Sequence, residues 1–268
     1  MTWTLSISTL ITGELRILDF LRENKSVLHH FDEVLLVCQL RDKLLPEFPS
    51  DLLPSNAQIV ESKLAGISAS RNLGIEHFTT DLIWFMDDDA KLVSNLPEIK
   101  AAIEKSPAEI NTLRIQDTGS DELFKAYGPG RNLSALDLLK VSSIEVTCKR
   151  TFFERTGIRF HEWIGVGTAL PSGEENLFLH EARRRGAVIA HLPLIACRHP
   201  IQAPELKSIW SRPNRTRCMG IVAREYGAVG ALLCVRWALR GVRARVNPRR
   251  LLDMWDGYLR GPRHWKKV

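Results

Sequence analysis

Apolar and polar positions along the chain change period several times, and each change marks an element. Trp3, Leu5 and Ile7 alternate with hydroxylated residues up to Thr12-Gly13, the period-2 pattern of a strand. Leu15, Leu18 and Leu21 then recur at helical spacing, with Glu14, Arg16 and Arg22 elsewhere on the wheel. Val34–Gln39 is a short run that is apolar without alternation, as expected of a strand covered on both faces. Strand, helix and strand in about 40 residues make a βαβ unit and require a largely parallel sheet. Ala57–Val60 reads as a third strand and Leu82–Met86 as another buried one, followed by a helix from Asn95-Leu96-Pro97 to about Lys105. Asn111–Gln116 and Val141–Cys148 read as strands. A helix spans Glu174–Arg185, and the last strand, residues 187–196, bends at Pro193. The fold class is α/β, a Rossmann-like half with a mostly parallel mixed sheet flanked by helices.

Composition sharpens this reading at four points. At 268 residues, 44% hydrophobic and 25% charged, the chain suits a globular core and excludes low-complexity or fibrous classes. Five cysteines without CxxC spacing fit a reducing compartment, with Cys38 and Cys197 in apolar runs as core residues. The uncharged first thirteen residues lack a basic leader and read as a strand, not a signal peptide. The net charge of +6 is uneven: residues 207–268 hold fifteen Lys and Arg against Glu225, Asp253 and Asp256, or +12, leaving −6 for residues 1–206. This predicts a domain over 1–206, with a donor half 1–90 and a second half 91–206, followed by a basic helical tail 207–268. In the tail Leu232, Val235 and Leu239 share one face and Arg236, Arg240 and Arg243 another, and Leu251 or Leu252, Trp255 and Leu259 repeat the pattern. With Trp237, Trp255 and Trp265 interspersed, it suits an anionic membrane surface better than nucleic acid, for which there is no motif.

The candidate chemistry lies where strands end. Leu82–Met86 runs directly into Asp87-Asp88-Asp89. Three adjacent carboxylates form either a solvated acidic turn or oxygen ligands for a hard divalent cation. Ser8, Thr9 and Gln39 stand near the ends of the first two strands, where polar groups read a base or ribose or simply line a loop. Arg71 lies at the start of a helix that Ser68 or Ser70 could cap, and offers a planar fork to phosphate. Glu145 is a lone acid in an apolar run and needs water or a partner. Gly165 and Gly167 form a loop that admits close backbone approach, and Gly173 precedes Glu174-Glu175 at a helix start. A later strand delivers His199, a competent metal ligand when neutral. The polar loop 119–131, with Gly128-Pro129-Gly130, is placed to cover a ligand.

Taken in order, Gly66-Ile-Ser-Ala-Ser-Arg-Asn-Leu-Gly-Ile75, the apolar run into three aspartates, the glycine loop, Gly173-Glu-Glu-Asn-Leu-Phe-Leu179 and the strand ending in His199 resemble a family 2 glycosyltransferase of the GT-A fold. The resemblance spans about residues 3–200, and Ser143-Ile144-Glu145 is similar to bacterial members that build surface polysaccharides. It implies that Asp87 and Asp89 are the D-x-D pair holding Mg²⁺ or Mn²⁺ on a nucleotide-diphosphate sugar, with Asp88 between them. His199 would complete the metal shell, and Gly165 and Gly167 would lie near donor and acceptor. Of Glu174 and Glu175, the second matches the family's general base, usually Asp. Thr9 and Gln39 fall where the donor base binds; many members have Asp near the position of Gln39, and a UDP-sugar is the expected donor.

The implied activity is inverting transfer of a sugar to a hydroxyl of a glycan or lipid-linked acceptor, in a cytoplasmic protein peripheral to the cell membrane. Two alternatives stand beside it. A nucleotidyltransferase uses a similar acidic site, but needs a glycine-rich basic loop that Thr9–Leu15 lacks. A non-catalytic membrane-associated assembly partner would not need intact acids.

Overall fold

The computed structural model describes residues 1–12, 15–200, 214–243 and 247–261. Gly13, Glu14, Trp265 and the 206/207 boundary lie outside the described residues. The chain divides into two compact units. One comprises Met1–Ala65, Ala69–Arg159 and the segment from Glu181 through the last strand; the other comprises Gly66–Ser68, Phe160–His180 and the C-terminal helices.

In chain order the elements are β1 (Trp3–Leu10), α1 (Arg16–Asn24), β2 (Glu33–Gln39), β3 (Ala57–Ser62), α2 (Ile67–His77), β4 (Leu82–Asp87), β5 (Lys91–Leu92) and α3 (Leu96–Lys105). They continue with β6 (Ile110–Asp117), β7 (Arg131–Asn132), β8 (Val146–Lys149), α4 (Arg150–Thr156), α5 (Glu174–Arg184) and β9 (Ile189–His199). The C-terminal helices are α6 (Arg215–Arg224), α7 (Gly227–Arg243) and α8 (Pro248–Arg260).

The strands form one mixed sheet in the order β3-β2-β1-β4-β8-β6-β9-β5, with β7 paired to β9. β3, β2, β1 and β4 are parallel, as the βαβ pattern requires. β8 runs antiparallel to both β4 and β6, and β6 and β9 are parallel. The non-alternating runs are explained by cover on both faces. Leu36, Cys38, Trp84 and Met86 join Ile17 and Phe20 of α1 and Ile99 and Ile103 of α3 in one cluster. Leu35, Val37, Ile83 and Phe85, pointing the other way, are equally buried.

The expected strand over 141–148 is shorter than its apolar pattern. A 3₁₀ turn occupies Ser143–Glu145 and the strand begins at Val146. Trp84 explains the turn's position: its indole Nε1 donates to the Ile144 carbonyl at 2.8 Å. Pro193 does not split the last strand. β9 is continuous, and the irregularity expected there is a register shift against β6: Thr112 pairs with His191 but Arg114 with Ile195, so Pro193 lies within it. All five cysteines are free and buried.

In the second unit, α6 and α8 pack closely through reciprocal glycines. A Cβ at Gly220 of α6 would collide with the Met254 backbone of α8, and one at Gly257 of α8 with the Arg217 backbone of α6.

Candidate active site

In the first unit, parallel pairing brings the carboxyl ends of β1 and β4 together, with Ser8 opposite Asp87. Three neighbouring acids leave β4 here, and each takes a different partner. Asp87 Oδ1 accepts from Arg71 Nη2 at 3.2 Å. Asp88 Oδ2 accepts from Thr9 Oγ1 at 2.6 Å. Asp89 Oδ1 lies 3.2 Å from His199 Nε2, while Arg16 Nη1 stands 3.8 Å from its other oxygen.

The electrostatics differ accordingly. Burial pushes the Asp88 carboxyl up, with Asp89 and Asp87 adding repulsion. The hydrogen bond from His199 holds Asp89 below the usual carboxylate range, and the same bond raises His199. His199 Nδ1 is 3.0 Å from the Pro200 carbonyl, which leaves Nε2 as the nitrogen that faces Asp89. The edge of Phe124 packs on the imidazole with ring centroids 5.6 Å apart.

Arg71 departs from the open phosphate fork expected of it. It is 2% exposed, and its Nη2 also donates to Ser143 Oγ at 2.7 Å. It therefore ties the end of β4 to the turn before β8. Ser70 Oγ donates to Ser8 Oγ at 2.9 Å and fixes α2 against β1. Gln39 is buried at the end of β2, in register with Leu10. Glu145, the lone acid, has partners: Lys125 pairs with its carboxylate, and the Tyr127 hydroxyl donates to it at 3.1 Å. Loop 119–131 is thus pinned to a buried carboxylate, and Tyr127 also accepts from the Ile115 amide. The contacts of Ser143 with Arg71 and of Phe124 with His199 join segments distant in sequence, so no local pattern reports them.

A divalent cation can be tested against these donors. Among the described residues no group of three or more His, Cys, Asp and Glu is arranged to hold a metal. Asp89 and His199 already lie together, one oxygen and one nitrogen donor, whereas Asp87 is engaged by Arg71. Two protein donors suit Mg²⁺ or Mn²⁺, which commonly take the rest of their shell from water and substrate phosphates. Asp89 and His199 therefore could serve as two protein donors to such a cation.

In the second unit Gly165, Gly167 and Gly173 have φ of 117°, 94° and 100°, a region closed to most side chains. The loop closes on itself through Gly165 N to Leu170 O at 2.8 Å. A Cβ at Gly165 would press on Ile67, Ser68 and the Glu174 carboxyl carbon, so glycine is required by both φ and space. Ser68 Oγ donates to the Ile164 carbonyl at 2.6 Å. Glu174 is buried and Glu175 half-buried in the first turn of α5.

Residues 44–159 match the model of glycosyl transferase family 2. This stretch, somewhat under half of the chain, is what is similar to that family. Arg71, Asp87, Asp88, Asp89 and Ser143–Glu145 fall inside it, and Glu174, Glu175 and His199 follow it. No curated protein matches the chain significantly. Solved structures with a similar fold include Staphylococcus aureus TarS 1–349, at 16% identity and TM-score 0.56 over 84% of this chain and 65% of that one. The TarS 1–349 complex with UDP-GlcNAc aligns at 16% identity and TM-score 0.60, over 84% and 66%. A longer TarS chain aligns at 16% identity and TM-score 0.57, with 83% of this chain covering 39% of it. The chain therefore spans about two thirds of the shorter TarS chain and well under half of the longer one. The matched region thus lies in a mixed α/β sheet of the kind these structures share, which is the fold class the resemblance implied.

Proposed function

We propose that the chain is an inverting, metal-assisted glycosyltransferase that moves a sugar from a UDP-sugar to a hydroxyl of a glycan or lipid-linked acceptor, in surface-polysaccharide synthesis. The observation that carries this reading is the acidic end of β4, where Asp89 meets His199 beside Asp87 and Asp88. The family 2 match over residues 44–159 and the nucleotide-sugar in the TarS complex support it.

Thr9 and Gln39 would contact the nucleoside, and Asp87 and Asp88 the ribose and diphosphate. Asp89 and His199 would hold Mg²⁺ or Mn²⁺, which when bound neutralises charge on a departing diphosphate. Arg71 acts one step back, keeping the Asp87 carboxylate oriented and offsetting the repulsion among three acids. Glu175, with Glu174 as the other candidate, would take the proton from the acceptor hydroxyl as its oxygen attacks the anomeric carbon. The C–O bond to the diphosphate breaks as the new glycosidic bond forms, and in-line attack inverts the anomeric centre. Gly165 and Gly167 would admit donor and acceptor to close approach.

The protein would work at the cytoplasmic side of the membrane, held peripherally by its basic C-terminal helices. No helix among the described residues is long and apolar enough to cross a membrane.

A thermal-shift panel of nucleotide-sugars, each with and without Mn²⁺, tests the donor reading. Stabilisation by a UDP-sugar in the presence of the metal is expected. Equal indifference to every nucleotide-sugar would overturn it.

A further inference from the structure

α7 carries two different outward strips. Its inner side is fixed by packing: Gly230, Cys234 and Gly241 are buried, and Trp237 and Ala238 pack on a cluster formed by Ala223, Cys234 and Met254. The outer side shows Leu232 at 69% exposure, Leu239 at 58% and Val242 at 62%, with Val229 and Val235 also exposed. At helical spacing Leu232, Val235, Leu239 and Val242 form one continuous aliphatic strip. Arg236, Arg240 and Arg243 are exposed in an adjoining strip of the same helix, and α7 contains no acid.

The surrounding charge has the same sign. The described residues of this C-terminal region contain nine arginines and three acids. Of those acids, Asp253 and Asp256 are occupied by Arg217, Arg250 and Arg260, all on α6 and α8. The arginines of α7 thus face outward beside an apolar surface that water solvates poorly.

We infer that α7 docks on the surface of an anionic lipid bilayer, lying in the interface plane with the Leu232–Leu239 strip among the acyl chains and Arg236, Arg240 and Arg243 at the headgroups. The inference gives the membrane part of the preceding proposal a definite surface, and rests on exposure and charge, not on transfer chemistry. A flat apolar strip bordered by cations matches a surface that is apolar within and anionic at its boundary. Arginine suits the border because its aliphatic stem covers apolar surface while its head stays with phosphate. A second copy of the chain is a poorer occupant, since a two-fold contact would crowd two sets of three arginines with no acid between them. Nucleic acid is poorer still, because the strip offers aliphatic side chains and no exposed ring for a base to stack on. The tryptophans contribute differently from the sequence expectation: Trp237 and Trp255 pack within the helical cluster.

The test is co-sedimentation of the full chain with vesicles of phosphatidylcholine alone or with phosphatidylglycerol added. Binding only to the anionic vesicles is expected, weakening as salt rises. L232S/L239S should abolish sedimentation with an unchanged melting temperature, because both side chains already face solvent. Each of R236Q, R240Q and R243Q should weaken binding about fivefold. L44S, at a residue of the first unit that is 92% exposed, should bind as the parent does. Failure of the parent to bind anionic vesicles, equal binding by L232S/L239S, or a concentration-dependent dimer that L232S/L239S dissociates would each overturn the inference. Donor stabilisation, measured without vesicles on the same variants, reports separately on the transferase reading.

Discussion

Three adjacent carboxylates at the end of β4 would repel one another if they shared one environment. Arg71, Thr9 and His199 give them three. Arg71 is 2% exposed, so R71A removes its ion pair with Asp87 and opens a cavity beside Ser143. Breaking such a pair costs about 3–5 kcal/mol when both groups are buried. Asp87 remains one-third exposed, so a loss at or below the low end is expected, read as a lowered urea midpoint. R71K should recover only part of it, because one ammonium does not reproduce the planar fork. At Glu175 the expectation concerns rate. E175Q should lower turnover by about 10²–10⁴-fold while leaving the affinity for UDP-sugar near the parent value. Should E174Q behave this way instead, the base is Glu174. The residue types were legible in the sequence, and so was the placement of the acids at a strand end. The partner of each acid was not, because Ser143, Phe124 and the burial of Arg71 depend on segments distant in sequence.

Elements with one dominant pattern were read correctly, and those set by a single long-range contact were not. β4 could be read because five consecutive apolar residues have no other stable placement at that length. Segment 141–148 was extended too far because nothing local reports that Trp84 draws on the Ile144 carbonyl. Loop 119–131 is polar in composition, yet it is held by the buried Glu145 through Lys125 and Tyr127. Burial pushes the Glu145 carboxyl above the usual range despite these partners. A raised folded-state value means that the native state binds more protons than the unfolded chain once pH passes the ordinary value of about 4.3. This group's contribution to stability is therefore fully present below that pH and is lost as pH rises towards the folded-state value. E145Q should flatten that part of the slope of unfolding free energy against pH, measured by urea titration from about pH 4.5 to 7. At the α6–α8 contact, G220A forces backbone against backbone, and a loss of about 1–3 kcal/mol is expected from overpacking, seen as an earlier melt.

For the whole molecule, the charge asymmetry announced a basic C-terminal region, but the division into compact units could not be read from sequence. Gly66–Ser68 and Phe160–His180 group with the C-terminal helices although both are flanked by sheet elements in the chain. One consequence is functional. Asp87, Asp88, Asp89 and His199 belong to one unit, and Glu174 and Glu175 to the other. On the proposed function, donor binding and proton abstraction should then be separable by mutation. On the proposed function, with Asp89 and His199 as its two protein donors, a cation would need the diphosphate to complete its shell, so metal and nucleotide-sugar should bind cooperatively. Mn²⁺ alone and UDP-sugar alone should each move the melting temperature little. Together, at about 100 times their joint dissociation constant, they should add about 2.7 kcal/mol. For a chain of this size that is a rise of roughly 5–10 °C. D89A should abolish the cooperative increment and E175Q should retain it. An increment that survives D89A would remove Asp89 from the cation site, and one lost in E175Q would place that glutamate in donor binding, not in proton transfer.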